Sequence, residues 1–341
     1  MTNPNFLIIG VQKAATTSLY AYLAQHPQIY LSPEKEPHFL LEGGLKPWQY
    51  YPGQKIRLWH DRVTDPQHYE RLFAGATAEH RAVGEASVWY LYRTAAAARI
   101  WQALPNVKLI VVLRNPIERC FSDYRQGLAL GYETMTSFRA ALCRDQKNFV
   151  SKNDQSFHYI PQGFYTQQIA AYLKLFDRDQ LRIYLYDDLK NSPATILYDI
   201  FRFLTVDPDY VVDTTQTKNV SSTQYTLYRP KQRLIDKHLL PSLQSIVPTG
   251  EGPLQESSAQ PESRKFPTLM RLAERARFVI QRGYLSRRFL LKHATPLGFI
   301  EKIPFTPKLD QDTYQQLAAV YQDELAKLEQ LLQRDLSHWR P

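Results

Sequence analysis

Lys13 stands just past an apolar run and just before Thr16, Thr17 and Ser18, in Gly10-Val11-Gln12-Lys13-Ala14-Ala15-Thr16-Thr17-Ser18-Leu19. Phe6 to Ile9 reads as a buried strand that stops at Gly10. Ser18 to Gln25 reads as a helix with Leu19, Tyr22 and Leu23 on one face. A strand, a tight turn and a helix start together make an anion cradle. Free backbone N–H groups and the positive helix end meet the anion, and Lys13 adds a full charge. The order is P-loop-like, but a Walker loop needs a second Gly directly before Lys and Ser/Thr. Here Ala-Ala-Thr-Thr-Ser follows the lysine. The plainer alternative is an ordinary strand–helix connection.

Other polar residues fall where further strands end. Ile29 to Leu31 reads as a short strand leading into Ser32-Pro33-Glu34-Lys35-Glu36-Pro37-His38-Phe39, and Ala82 to Ser87 as a strand holding Glu85. Lys108 to Leu113 is a strand with Arg114 at its end, and Pro116 opens the next helix. Leu181 to Tyr186 is a further strand. Helices are expected at 68–73, 94–104, 166–176 and 194–204. This alternation predicts an α/β fold, a central parallel sheet with helices on both faces. Ligands of such sheets bind beyond the carboxyl ends of the strands, where Lys13, Glu36, Glu85 and Arg114 gather.

Beyond the sheet, residues 47–65 read as irregular surface and 249–265, rich in Pro, Ser, Gln, Glu and Gly, as a flexible loop. Phe266 to Lys292 reads as a basic helical stretch carrying Arg271, Arg275, Arg277, Arg282, Arg287 and Arg288. Asp312 to Leu332 is an amphipathic helix with Leu317, Val320, Tyr321, Leu325 and Leu328 on its apolar face, so 266–341 forms a helical C-terminal region. Trp339 is expected to pin the terminus.

Lys plus Arg exceed Asp plus Glu by 42 − 33 = 9, which favours an anionic partner. Only Cys120 and Cys143 are present, so a disulfide framework is not indicated and a reducing, cytoplasmic setting is expected, with a single Cys120–Cys143 bridge as the alternative. Cys and His lack metal-ligand spacing. The chain has no apolar run of the ~18 residues that span a bilayer, and with the first strand read at Phe6 no signal peptide or N-terminal membrane anchor is expected.

Taken in order, three motifs resemble the sulfotransferases that use 3′-phosphoadenosine 5′-phosphosulfate (PAPS). Gly10 to Leu19 resembles their 5′-phosphosulfate loop, which implies that Lys13, Ala14, Ala15, Thr16, Thr17 and Ser18 bind that end of the nucleotide. Leu113-Arg114-Asn115-Pro116-Ile117-Glu118-Arg119-Cys120-Phe121-Ser122-Asp123-Tyr124 resembles their 3′-phosphate site, with Arg114 and Ser122 as the ligands. Lys35-Glu36-Pro37-His38-Phe39 resembles the acceptor-side motif of the heparan sulfate and related carbohydrate enzymes.

The resemblance implies Glu36 as the general base, with His38 sharing or replacing that role, and Lys35 and Glu85 on the acceptor side. It covers residues 5–225 best and implies one sulfotransferase-like domain over 1–341. It also implies PAPS as co-substrate, no metal requirement, a glycan or glycolipid acceptor, and no nucleic-acid partner. Ala86 stands where the heparan-type enzymes often carry a lysine, and Lys218-Asn219-Val220-Ser221 matches only loosely their loop over the nucleotide. The arginines of 271–292 are either a peripheral membrane or glycan contact or a solvated helix face. Trp89 and Tyr90 either stack on a sugar or fill the core.

Two rivals use the same residues differently. A nucleotide or small-molecule kinase would need Mg²⁺ ligands and a Walker lysine. A non-catalytic binder of anionic polymers would need neither Glu36 nor a nucleotide pocket.

Overall fold

The computed structural model describes residues 3–42, 63–130, 133, 135–150, 158–215, 225–230 and 300–340. The chain divides into two compact units, one of Met1–Tyr124, Phe138–Ser221 and Leu309–Pro341, the other of Arg125–Ser137 and Ser222–Lys308.

The first unit is built on five parallel strands: β1 (Phe6–Gly10), β2 (Ile29–Leu31), β3 (Ala82–Ala86), β4 (Lys108–Leu113) and β5 (Leu181–Leu185). Their order across the sheet is β2-β3-β1-β4-β5. All five residues of β1 and all five of β3 are buried, which is why β1 reads as a continuous apolar run rather than an alternating one, while β3 carries the buried Glu85. Gly84 lets β1 and β3 close, since a Cβ there would sit 2.5 Å from the Phe6 carbonyl oxygen. From β1 the chain crosses to β2 on one side. From β3 it crosses back over β1 to β4 on the other. The carboxyl ends of β1 and β4 therefore form the switch point of this sheet, the place where a doubly wound fold takes its ligand.

The linking helices are α1 (Thr16–Leu23), α2 (Phe39–Glu42), α3 (Pro66–Arg71), α4 (Trp89–Tyr92), α5 (Ala95–Ala103), α6 (Pro116–Leu130), α7 (Phe138–Val150), α8 (Tyr165–Leu173), α9 (Tyr186–Asn191) and α10 (Pro193–Leu204). The helix α11 (Gln311–Leu332) and a 3-10 turn at Ser337–Trp339 close the unit. The long amphipathic helix expected at 312–332 is thus present, and it packs on α8. Glu324 of α11 accepts from the Thr166 amide at 2.7 Å, and Tyr321 donates to the Ile160 carbonyl at 2.8 Å. Trp339 is buried. It donates from its indole to Asp187 at 2.8 Å, and its carbonyl accepts from Asn115 at 3.0 Å.

In the second unit, β6 (Tyr225–Pro230) pairs antiparallel with β7 (Ile300–Phe305). The region 266–341, expected to be helical, thus also holds a strand, between the stretches where helices were expected. Pro304 would remove a hydrogen bond from a helix interior, whereas either strand of a two-stranded ribbon is an edge and tolerates proline. The expected loop at 249–265, the basic stretch at 266–292 and most of the irregular 47–65 segment lie outside the described residues, as does Lys218–Ser221.

Candidate active site

The helix after β1 starts at Thr16, two residues earlier than its apolar spacing indicates. The backbone explains the shift. Lys13 and Ala15 both take positive φ, 72° and 59°, with Ala14 between them on the ordinary side. Such an alternation turns successive amides inward and makes an anion-binding nest. Ala15 then serves as N-cap without any side-chain cap bond. Leu19 makes the first backbone bond, to Ala15 at 3.0 Å, so the Thr16 and Thr17 amides have no backbone acceptor among the described residues.

A second pair of left-handed residues sits one loop away. Glu36 has φ 62° and His38 φ 53°. Glu does not favour this region and His only occasionally enters it, and each such position costs on the order of 1 kcal/mol or more unless its surroundings hold it. Four of the seven non-glycine positive-φ residues among those described thus lie in the loops after β1 and β2. Two of the other three, Thr205 and Gln333, merely end helices.

The Glu36 carboxylate is about a quarter exposed and has three partners. Lys35 Nζ lies 2.7 Å from one oxygen, and His38 Nε2 lies 3.2 Å from the other. That second oxygen also accepts the Val88 amide at 3.0 Å. The Glu36 amide donates to the Ala86 carbonyl at 2.9 Å, which stitches the loop to the end of β3. Lys35, Glu36 and His38 therefore form one contiguous cluster of ionisable side chains.

At the end of β4, Arg114 Nη1 donates to the Lys13 carbonyl at 3.1 Å. The same guanidinium pairs with the exposed Glu118 at 3.0 Å and lies 4.5 Å above the Tyr186 ring. Tyr165, fully buried, donates to the Arg114 carbonyl at 2.8 Å. Asn115 caps α6 by accepting from the Ile117 amide at 2.9 Å. Ser122 is buried on that helix, and its hydroxyl has no intramolecular partner among the described residues. Its neighbour Asp123 pairs with the fully buried Arg119 at 3.3 Å. Burial holds the Asp123 carboxyl above its usual range, while the Arg119 and Lys13 charges pull the other way.

Glu85 stands apart from the sequence-based expectation. Its side chain is fully buried, so it meets no acceptor directly. It accepts from the Ser87 hydroxyl at 2.8 Å, and burial pushes its carboxyl up to about 8. Tyr90 is equally buried, which settles it as core, with its hydroxyl accepting from the Leu40 amide at 3.1 Å. Sequence reasoning passed over Ser87 and the Val88 amide, although both follow Glu85 directly at the strand end.

Residues 4–210 match the protein-family model described as the sulfotransferase family. The chain is 25% identical over 252 residues to carbohydrate sulfotransferase 15 of Homo sapiens, covering 60% of this chain and 44% of that protein. It is 28% identical over 216 residues to the bifunctional heparan sulfate N-deacetylase/N-sulfotransferase 4 of Mus musculus, covering 61% and 23%. The chain thus spans under half the length of these curated relatives. Among solved structures, a sulfotransferase from Alicyclobacillus acidocaldarius superposes with a TM-score of 0.67 at 27% identity, covering 100% of both chains.

Proposed function

Because this chain belongs to the sulfotransferase family, we propose that it moves a sulfuryl group from PAPS to a hydroxyl or amine of a carbohydrate or glycolipid. The observation that carries the nucleotide assignment is the closure of Arg114 onto Lys13, which joins the nest after β1 to the start of α6. In this reading Lys13 and the amides and hydroxyls of Ala14 to Ser18 hold the 5′ end of the nucleotide. Arg114 offers its planar fork to the 3′-phosphate, with the Ser122 hydroxyl as a further donor. Glu36 takes the acceptor proton as the new bond from the acceptor to sulfur forms. The bond from sulfur to the 5′-phosphate oxygen breaks, its electron pair stays with the departing 3′-phosphoadenosine 5′-phosphate, and Lys13 offsets that charge.

Lys35 is the acceptor-side cation, and it and His38 hold the two oxygens of Glu36. A glycan acceptor is favoured by relatives named as carbohydrate and heparan sulfate sulfotransferases. A cytoplasmic setting accords with Cys120 and Cys143 being free thiols. Sulfuryl carries less charge than phosphoryl, so a lysine and helix-start amides suffice without a metal ion.

A thermal-shift panel tests the reading. Stabilisation by 3′-phosphoadenosine 5′-phosphate, with turnover that survives EDTA, is the expected result. Stabilisation only by ATP with Mg²⁺ would replace it with a kinase, and no response to any nucleotide would leave a binder of anionic polymers.

A further inference from the structure

We infer that Glu85 is a positioning residue that acts through Ser87 to hold the Glu36–His38 turn in its left-handed form. The inference rests on the proposed role of Glu36 as base. Glu36 and His38 both sit at positive φ, so the turn needs anchors strong enough to offset its intrinsic cost. The structure supplies them from β3 and the helix after it. The Ser87 hydroxyl has one proton, and it donates that proton to Glu85 Oε2 at 2.8 Å. Its lone pairs are thereby left for the His38 amide, which donates to Ser87 Oγ at 3.0 Å. Without Glu85 the hydroxyl is free to rotate and spend its proton elsewhere. Tyr90 anchors the next turn, by accepting from the Leu40 amide.

The carboxyl is enclosed on every side. Ser87 donates to its Oε2 from beyond β3, while Oε1 and the nearby Tyr69 hydroxyl are both buried without a hydrogen-bond partner among the described residues. Glu36 and Lys35 act on it from the loop above. Their opposed charges leave burial as the dominant influence, which keeps the group in its acid form near neutral pH. A neutral carboxyl does not repel the Glu36 base.

The experiment compares Glu85→Ala, Glu85→Gln and Ser87→Ala in the full chain. Amide hydrogen exchange is followed across residues 36–40, affinity for 3′-phosphoadenosine 5′-phosphate is measured by calorimetry, and turnover is measured with PAPS and a chemically desulfated glycosaminoglycan mixture. Loss of one buried hydrogen-bond anchor should speed exchange at His38 and lower turnover by about tenfold in Glu85→Ala and Ser87→Ala. Nucleotide affinity should stay within about twofold, because the Lys13 nest is untouched. Glu85→Gln keeps both an acceptor for Ser87 and a donor, and should restore exchange and turnover to near wild type. Combining Glu85→Ala with Ser87→Ala should add little to either alone.

Unchanged exchange at His38 in Glu85→Ala overturns the inference. So does a loss spread evenly over nucleotide affinity and the whole chain's exchange, which would mark Glu85 as ordinary core. If Glu85→Ala does not fold, Ser87→Ala decides by the same exchange readout. If the wild-type chain binds no nucleotide, the sulfotransfer reading fails, and the exchange data still decide the anchor.

Discussion

The guanidinium of Arg114 donates to the backbone carbonyl of Lys13 at 3.1 Å, across 101 residues of sequence. The loop after β1 and the loop after β4 are thus one assembly at the switch point of the sheet. A ligand that engages both charges bridges strands that the fold already places side by side.

That bridge predicts a preference between nucleotides. 3′-Phosphoadenosine 5′-phosphate should raise the melting temperature much more than adenosine 5′-phosphate, which lacks the group assigned to Arg114. Arg114→Ala should abolish the difference while leaving the smaller shift in place. Equal shifts from both nucleotides in the wild-type chain would sink the Arg114 assignment.

Glu36 and Lys13 should fail in different ways. Glu36→Gln keeps shape and hydrogen bonding but removes basicity, so kcat should fall by roughly 10²-fold or more with nucleotide affinity nearly unchanged. Lys13→Ala should damage nucleotide binding and turnover together, because its charge acts on ground state and transition state alike. Calorimetry beside steady-state kinetics separates the two. Near-full turnover in Glu36→Gln would move the base to His38, whose Nε2 lies 3.2 Å from Glu36.

The sheet was legible in the sequence because its strands are buried on both faces and so appear as unbroken apolar runs, Phe6–Ile9 and Leu109–Leu113 above all. The place of Lys13 and Arg114 at the carboxyl edge was legible because polar residues that follow such runs must lie there. The geometry that unites them was not. Lys13, Ala15, Glu36 and His38 adopt positive φ without being glycine, and nothing in the types of the first three announces it. Glu85 was misjudged for a related reason. Sequence shows a carboxylate at a strand end, but not that Tyr69, Ser87 and Tyr90 close over it. The ribbon of β6 and β7 escaped because its strands are 225–230 and 300–305, and no local turn signal joins them.

The C-terminal clasp should prove energetically separate from the chemistry. Trp339 is 1% exposed and holds both Asp187 and Asn115. Trp339→Ala should cost about 3–5 kcal/mol of stability, chiefly through the cavity it leaves. Trp339→Phe retains most of the apolar contact and should cost less, about 1 kcal/mol, because the Asp187 carboxylate it leaves is partly exposed and keeps His338 at 3.5 Å. Denaturant melts provide the measurement. An unshifted midpoint in Trp339→Ala would show that the terminus does not clasp the sheet in solution.

Glu85 gives the chain a specific pH signature. Its folded-state carboxyl is pushed up from 4.5 to about 8 by burial. The native state therefore holds a proton that the unfolded state releases between those values. Stability depends on pH with the sign of the protons bound in the unfolded state minus those bound in the native state, so this group makes stability fall as pH rises. Its favourable contribution is complete below the unfolded value. It declines by up to about 1.4 kcal/mol per pH unit across the window and is gone above the folded value. Glu85→Gln has no proton to lose. The variant should match the wild type near pH 5 and become progressively more stable than it towards pH 9, and urea titrations at several pH values would read the divergence directly. Activity should follow the same course if the turn depends on a neutral group at this position. The wild type should lose turnover as pH passes about 8, where an ionised Glu85 faces Glu36 across the turn, and Glu85→Gln should keep it. Parallel stability curves for the two proteins would mean that Glu85 is ionised in the native state, and that the Ser87 hydroxyl is held by a charge rather than by a neutral acid.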